Sequence, residues 1–115
     1  MASAEPYDMM RILDVKKAMD GLQAGEGEVT LRILDPFAPW NEGAWRFISR
    51  DGRLDAEKVR EGNAPELSIG DLTRWAFGCV NASELARRGA ALPGAQIRAM
   101  DALLPGQPFF IYETY

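Results

Sequence analysis

The pattern of apolar and polar positions divides the chain into two unequal halves. From Glu28 to Asp35, apolar Val29, Leu31 and Ile33 alternate with Glu28, Thr30 and Arg32, the period of a strand with one buried face. Trp45, Phe47 and Ser49 continue that alternation. Asp51-Gly52 then reads as a two-residue hairpin turn, with a partner strand from Arg53 to about Val59. Leu67 and Ile69 in ELSIG predict a fourth strand of this antiparallel set, and PFAPWNEG before the hairpin is a loop by its prolines, Asn41 and Gly43. Ahead of them, MMRILDV (Met9 to Val15) reads as a strand. Asp14 is placed to cap a helix whose buried face is Val15, Ala18, Met19 and Leu22.

After about residue 70 the period becomes helical. Asp71 is a predicted cap for LTRWAFG, closed by Gly78. Asn81 with Glu84 three residues on predicts a capped helix closed by Gly89. Ile97, Met100 and Leu104 form one stripe of a third helix that ends at Pro105-Gly106. The aromatic tail PFFIYETY reads as a last strand. Strands and helices segregate, which predicts an α+β fold: a mainly antiparallel sheet of five to six strands with helices packed on one side. Apolar stripes on the helices from Leu72 to Leu104 must then face the apolar side of the sheet. Any apolar pocket or cleft wall is expected there, lined by Phe47, Trp75, Leu103 and the tail's Phe110 and mostly filled by side chains.

The 115 residues suffice for one domain, and a hydrophobic fraction of 47% with 26% charged residues is that of a globular chain. The net charge of −4 offers no long-range attraction for nucleic acid. No apolar run approaches the length of a membrane span, and MASAEPYD is not a signal peptide. The single cysteine, Cys79, fits a reducing compartment, so a cytoplasmic location is expected. The absence of histidine removes Ser–His and Cys–His nucleophiles and His-bearing metal sites, and no metal is expected.

The remaining motifs have ordinary readings. GEGE (Gly25 to Glu28) lacks the lysine and spacing of a phosphate loop and reads as a turn. ARRGAA (Ala86 to Ala91) is close to the Arg/Gln-x-x-Gly-x-Gly/Ala loop that holds acetyl-CoA pyrophosphate, but Ala86 stands where Arg or Gln belongs, and a helix stop accounts for Gly89. Asp51, Asp55, Glu57 and Glu61 read as a solvated strand face. Trp40, Trp45 and Trp75 read as core aromatics, and Cys79 as a small buried apolar residue.

Taken in order, MMRILDV, GEVTLRILDP, AWRF, PELSIGDLTRWAFGCVNASELARRG, DALLP and PFFIYETY form a set that resembles the C-terminal sterol-carrier-protein-2-like domain of the enhanced-intracellular-survival (Eis) family of GNAT N-acetyltransferases. The resemblance runs from about Met9 to Tyr115. It implies that residues 1–8 are a flexible extension or additions in front of the domain, and that 9–115 are a sterol-carrier-like domain. It implies no cofactor in this chain, acetyl-CoA in the full-length family, and as partners the upstream acetyltransferase domains of the same polypeptide and an amine substrate. It also implies a homo-oligomer in the full-length context. By the same resemblance, Tyr115 would act through its α-carboxylate as proton acceptor for the substrate amine, and only together with the acetyltransferase domain. Two other readings stay open: a carrier that binds a lipid or other apolar ligand, and a structural oligomerisation module.

Overall fold

The computed structural model describes residues 12–60, 62–77 and 80–104. Within them the order is α1 (Val15–Met19), β1 (Glu28–Leu34), β2 (Gly43–Arg50), β3 (Arg53–Val59), β4 (Glu66–Ser68), α2 (Ile69–Phe77), α3 (Ala82–Arg87) and α4 (Gly94–Leu103). No described helix is long and apolar enough to cross a membrane.

Among the described residues the sheet has four strands in the order β3-β2-β1-β4. The hairpin forms as its sequence requires: Asp51 and Gly52 both take positive φ, 54° and 79°, the backbone that a primed two-residue turn demands. Register places Val29 opposite Phe47 and Leu31 opposite Trp45, with Ala56 opposite Phe47, so these side chains share one face. The other face carries Arg46 with Glu57, and Arg50 with Asp55 at 3.0 Å. This is the solvated strand face expected for Asp55 and Glu57.

Three expectations are corrected. β4 runs parallel to β1, pairing Ile33 with Leu67, so it does not belong to an antiparallel set, and the described sheet is four-stranded and mixed where a mainly antiparallel one of five to six strands is expected. The reason is the strand order: β3 lies at one edge of the sheet and β4 at the other, next to β1, so β4 is not the hairpin partner of β3 and starts in β1's direction. Residues 12–14 form no strand, and Val15 already belongs to α1. Ile12 N–H instead donates to the Thr73 hydroxyl (3.1 Å) and Val15 N–H to Asn41 Oδ1 (2.8 Å). Finally, α2 starts at Ile69, and Ser68 rather than Asp71 does the capping, its hydroxyl accepting from Asp71 N–H at 3.0 Å. Met9 to Arg11, Gly78, Cys79 and the tail strand lie outside the described residues.

The other helix signals hold. Asp14 accepts from Lys17 N–H at 3.0 Å, and Asn81 from Glu84 N–H at 2.9 Å. Gly89 (φ 116°) closes α3 with the paired bonds of a left-handed stop: Gly89 N–H to Ala86 O, 3.1 Å, and Ala90 N–H to Leu85 O, 3.0 Å. Gly25 does more than turn the chain. Its N–H donates to Leu103 O at 2.7 Å and Glu26 N–H to Ala102 O at 3.1 Å, and a Cβ at Gly25 would collide with Ala102 O. The end of α4 is thereby capped by the segment that leads into β1.

Candidate functional site

Phe47, Trp75 and Leu103 lie in one apolar cluster with Met19, Leu31, Leu72, Leu85 and Met100. Alternation in β2 points Phe47 inward, and the buried faces of α2 and α4 add Trp75 and Leu103 to the same cluster. Phe47 and Trp75 meet edge to face, ring centroids 6.4 Å apart, a favourable arrangement for two quadrupoles. Trp75 is only 3% exposed, and its Nε1–H has no hydrogen-bond partner, the one such buried side-chain polar atom found among the described residues. An unpaired buried donor costs free energy on the order of 1–3 kcal/mol. Phe110 and Tyr115, the other two candidate residues, lie outside the described residues.

A second constellation was hidden in the sequence. In the loop after β1, Asp35 is 1% exposed and Asn41 is fully buried. Asn41 accepts from Val15 N–H, donates through Nδ2 to Asp35 Oδ2 (2.9 Å) and Leu13 O (3.1 Å), and receives Trp45 Nε1–H on its carbonyl (2.8 Å). Asp35 Oδ1 accepts from Phe37 N–H at 3.1 Å, and Asp35 N–H donates to Glu42 Oε2 at 2.8 Å. Lys58 seals the loop: its Nζ donates to Trp40 O (3.0 Å) and lies 5.5 Å from the Trp45 ring centroid. Around this polar interior stand apolar side chains facing outward. Phe37 is 82% exposed, Leu13 71% and Trp40 58%. Trp40 is thus not the core aromatic expected of it. Its indole N–H reaches Leu13 O at 2.8 Å, which holds the ring on the surface. The signal available in the sequence was two prolines around Phe37 and Trp40, which place both rings on a tight loop.

Among the described residues the clear pKa shifts run in one direction. Each described group whose pKa departs clearly from its ordinary value is held towards its charged form. The hydrogen bond from Arg46 and then its charge lower Glu57; Arg87, then Arg88, do the same for Glu84. Burial is the largest single influence on Asp20 and opposes its ionisation, but the Ala56 N–H bond and Lys16 together outweigh it and lower the pKa. A general base poised near neutrality needs the opposite displacement. Among the described residues no group of three or more His, Cys, Asp or Glu could hold a metal ion.

The two glycine-bearing segments that come nearest to a phosphate loop are already engaged within the fold. Pyrophosphate binding needs free N–H groups at a helix start. Arg87, Arg88 and Gly89 lie at the carbonyl end of α3, with both arginines paired to Glu84. The N–H groups of Gly25 and Glu26 are already bonded to α4.

The fold is shared with parts of larger chains. A GCN5-related N-acetyltransferase from Kribbella flavida matches with a TM-score of 0.72 and 25% identity over 84% of this chain and 26% of its own. Eis1 from Mycobacterium abscessus matches with a TM-score of 0.66 and 26% identity over 84% of this chain and 25% of its own. A GCN5-related N-acetyltransferase from Anabaena variabilis shares the fold at a TM-score of 0.72 and 19% identity, again over 26% of its length. The chain therefore spans about a quarter of the solved structures it matches. No curated protein matches it. The sterol carrier protein domain model matches residues 15–112, and the chain belongs to that family.

Proposed function

We propose that this chain is an accessory domain of a larger acetyl-CoA-dependent N-acetyltransferase, where it walls the substrate cleft and supplies the Tyr115 α-carboxylate as proton acceptor. The observation that carries this reading is coverage: a named N-acetyltransferase of 25% identity is matched over only 26% of its length. The apolar interior and charge-paired surface described above suit a domain that contributes shape more than chemistry. Catalysis alone is not expected of it. The cytoplasmic location rests on the lone cysteine, and the homo-oligomeric full-length form on the Eis resemblance.

An amine must shed a proton as it attacks a thioester carbonyl. An α-carboxylate, with an ordinary pKa of about 3.5, is ionised at neutral pH, and partial burial beside an ammonium group tunes it as a base. In the full-length protein, amidating Tyr115 or extending the chain past it is expected to lower kcat by roughly 10²–10⁴-fold, the worth of a positioned general base. Unchanged turnover from a C-terminally tagged enzyme would remove the base role and leave the accessory role standing.

One observation favours a second reading, a carrier of an apolar ligand. The unpartnered Trp75 indole N–H in an apolar interior suits a ligand that is hydrocarbon apart from a single acceptor oxygen. Stoichiometric uptake of a fluorescent fatty acid, abolished in Trp75→Phe, is the result that reading requires.

A further inference from the structure

All of the large hydrophobic side chains exposed among the described residues lie at one end of the sheet: Leu13, Leu34, Phe37 and Trp40. Leu34 ends β1, directly before the loop, and Trp40 is bonded to the backbone of Leu13. Concentrated exposed apolar surface marks an interaction site, and tryptophan and phenylalanine are enriched at the centres of such sites. The loop is also built on buried polar bonds. Asp35 and Asn41 are buried, and their bonds fix the backbone from which Phe37 and Trp40 project. A rigid aromatic surface loses little side-chain entropy on binding.

We propose that the Leu13–Phe37–Trp40 surface is the seat against which the acetyltransferase region of the same polypeptide packs. This rests on the accessory-domain reading. Two observations select that occupant. Most of each matched polypeptide lies outside the shared domain, which covers only 25–26% of it. Leu13 stands two residues before α1 and its carbonyl accepts from Trp40 Nε1–H, so the described chain enters the domain beside Trp40. Tethering at that point gives the contact a high effective concentration and lets a modest patch suffice.

The test begins with the natural reading frame that encodes this chain. A frame without an acetyltransferase region defeats the accessory-domain reading and this inference with it. Where the region is present, hydroxyl-radical footprinting of the full-length protein reads the surface directly. Phe37 and Trp40 are expected to label several-fold more slowly than in the 115-residue chain, as exposed side chains do on entering an interface core. Equal labelling would overturn the inference while leaving the accessory reading intact. So would slow labelling in the 115-residue chain itself, which would mean that its own residues or a second copy cover the patch. The Phe37→Ser/Trp40→Ser double variant supplies an independent readout. Proteolysis between the two regions should accelerate while the unfolding midpoint of the domain stays put; an unchanged cleavage rate counts against the seat.

Discussion

Phe47 and Trp75 are enclosed between the sheet and the helices, whereas Phe37 and Trp40 stand in water on a loop whose own interior is polar. Both regions are rigid, for opposite reasons. The enclosed pair is held by close packing of apolar side chains, which is non-directional and tolerates one orphaned donor at Trp75 Nε1. The exposed pair is held by directional bonds from a buried carboxylate and a buried amide. Packing suits a region whose task is to hold the fold. Hydrogen bonds suit a region that must keep apolar rings out of the core.

The comparison predicts different kinds of damage. Phe47→Ala removes a fully buried ring and should cost about 3–5 kcal/mol. The loss should be global, seen as a lower denaturant midpoint with amide protection falling throughout. Asn41→Ala should cost about 2–4 kcal/mol, because Val15 N–H loses its acceptor and the buried Asp35 carboxylate loses a donor. Its signature is local: hydrogen exchange should rise first in residues 35–42 and at the start of α1. Uniform loss of protection in Asn41→Ala would break the distinction between the two regions.

This division also explains what the sequence revealed. Period-2 alternation in EVTLRIL, the Asp-Gly turn, the Asp14 and Asn81 caps and the Gly89 stop are local signals, each satisfied by residues a few positions away. Strand direction at β4 is not local: whether Leu67 pairs parallel or antiparallel to Ile33 depends on which edge of the sheet β4 joins after β3. The Asp35–Asn41 network joins residues across 6 positions and then reaches back 26 to Val15, and no period encodes it. Trp40 departs from expectation for the same reason. Tryptophan is a core residue by default, and only the bonds beneath the loop keep it outside.

Two indoles offer a sharper measurement. Trp45 and Trp75 are both buried, but Trp45 Nε1–H donates to Asn41 O at 2.8 Å while that of Trp75 is unpaired. Replacing either by Phe removes similar apolar bulk. In Trp45→Phe the Asn41 carbonyl is orphaned; in Trp75→Phe an orphan disappears. The first should therefore be more destabilising than the second by about 1–3 kcal/mol. Equal losses would show that ring volume alone decides at both sites, and that the unpaired N–H at Trp75 carries no cost that a ligand's oxygen could relieve.

The smallest effect tests whether directional bonds still matter where the partners are half exposed. Asp20 links α1 to β3: its Oδ1 accepts from Ala56 N–H at 2.7 Å and its Oδ2 meets Lys16 Nζ at 2.9 Å, while Lys16 donates to Ala56 O at 2.8 Å. Its pKa in the folded protein is lowered, so the unfolded chain binds the proton more tightly. The resulting stabilisation is fully present above the ordinary aspartate pKa of about 3.9 and is lost as pH falls through the lower folded value. Solvent screening keeps it small, since both side chains are more than a third exposed. Asp20→Asn keeps an oxygen for Ala56 N–H and removes only the charge. The stability gap between wild type and Asp20→Asn should be constant from neutral pH down to about pH 5 and should close below about pH 4. Urea midpoints at pH 7, 5 and 3 read this directly. A gap of the same size at pH 3 as at pH 7 would mean that the carboxylate acts here only as a hydrogen-bond acceptor, so the exposed frame of α1 would work as the buried frame of Asn41 does, by geometry without charge.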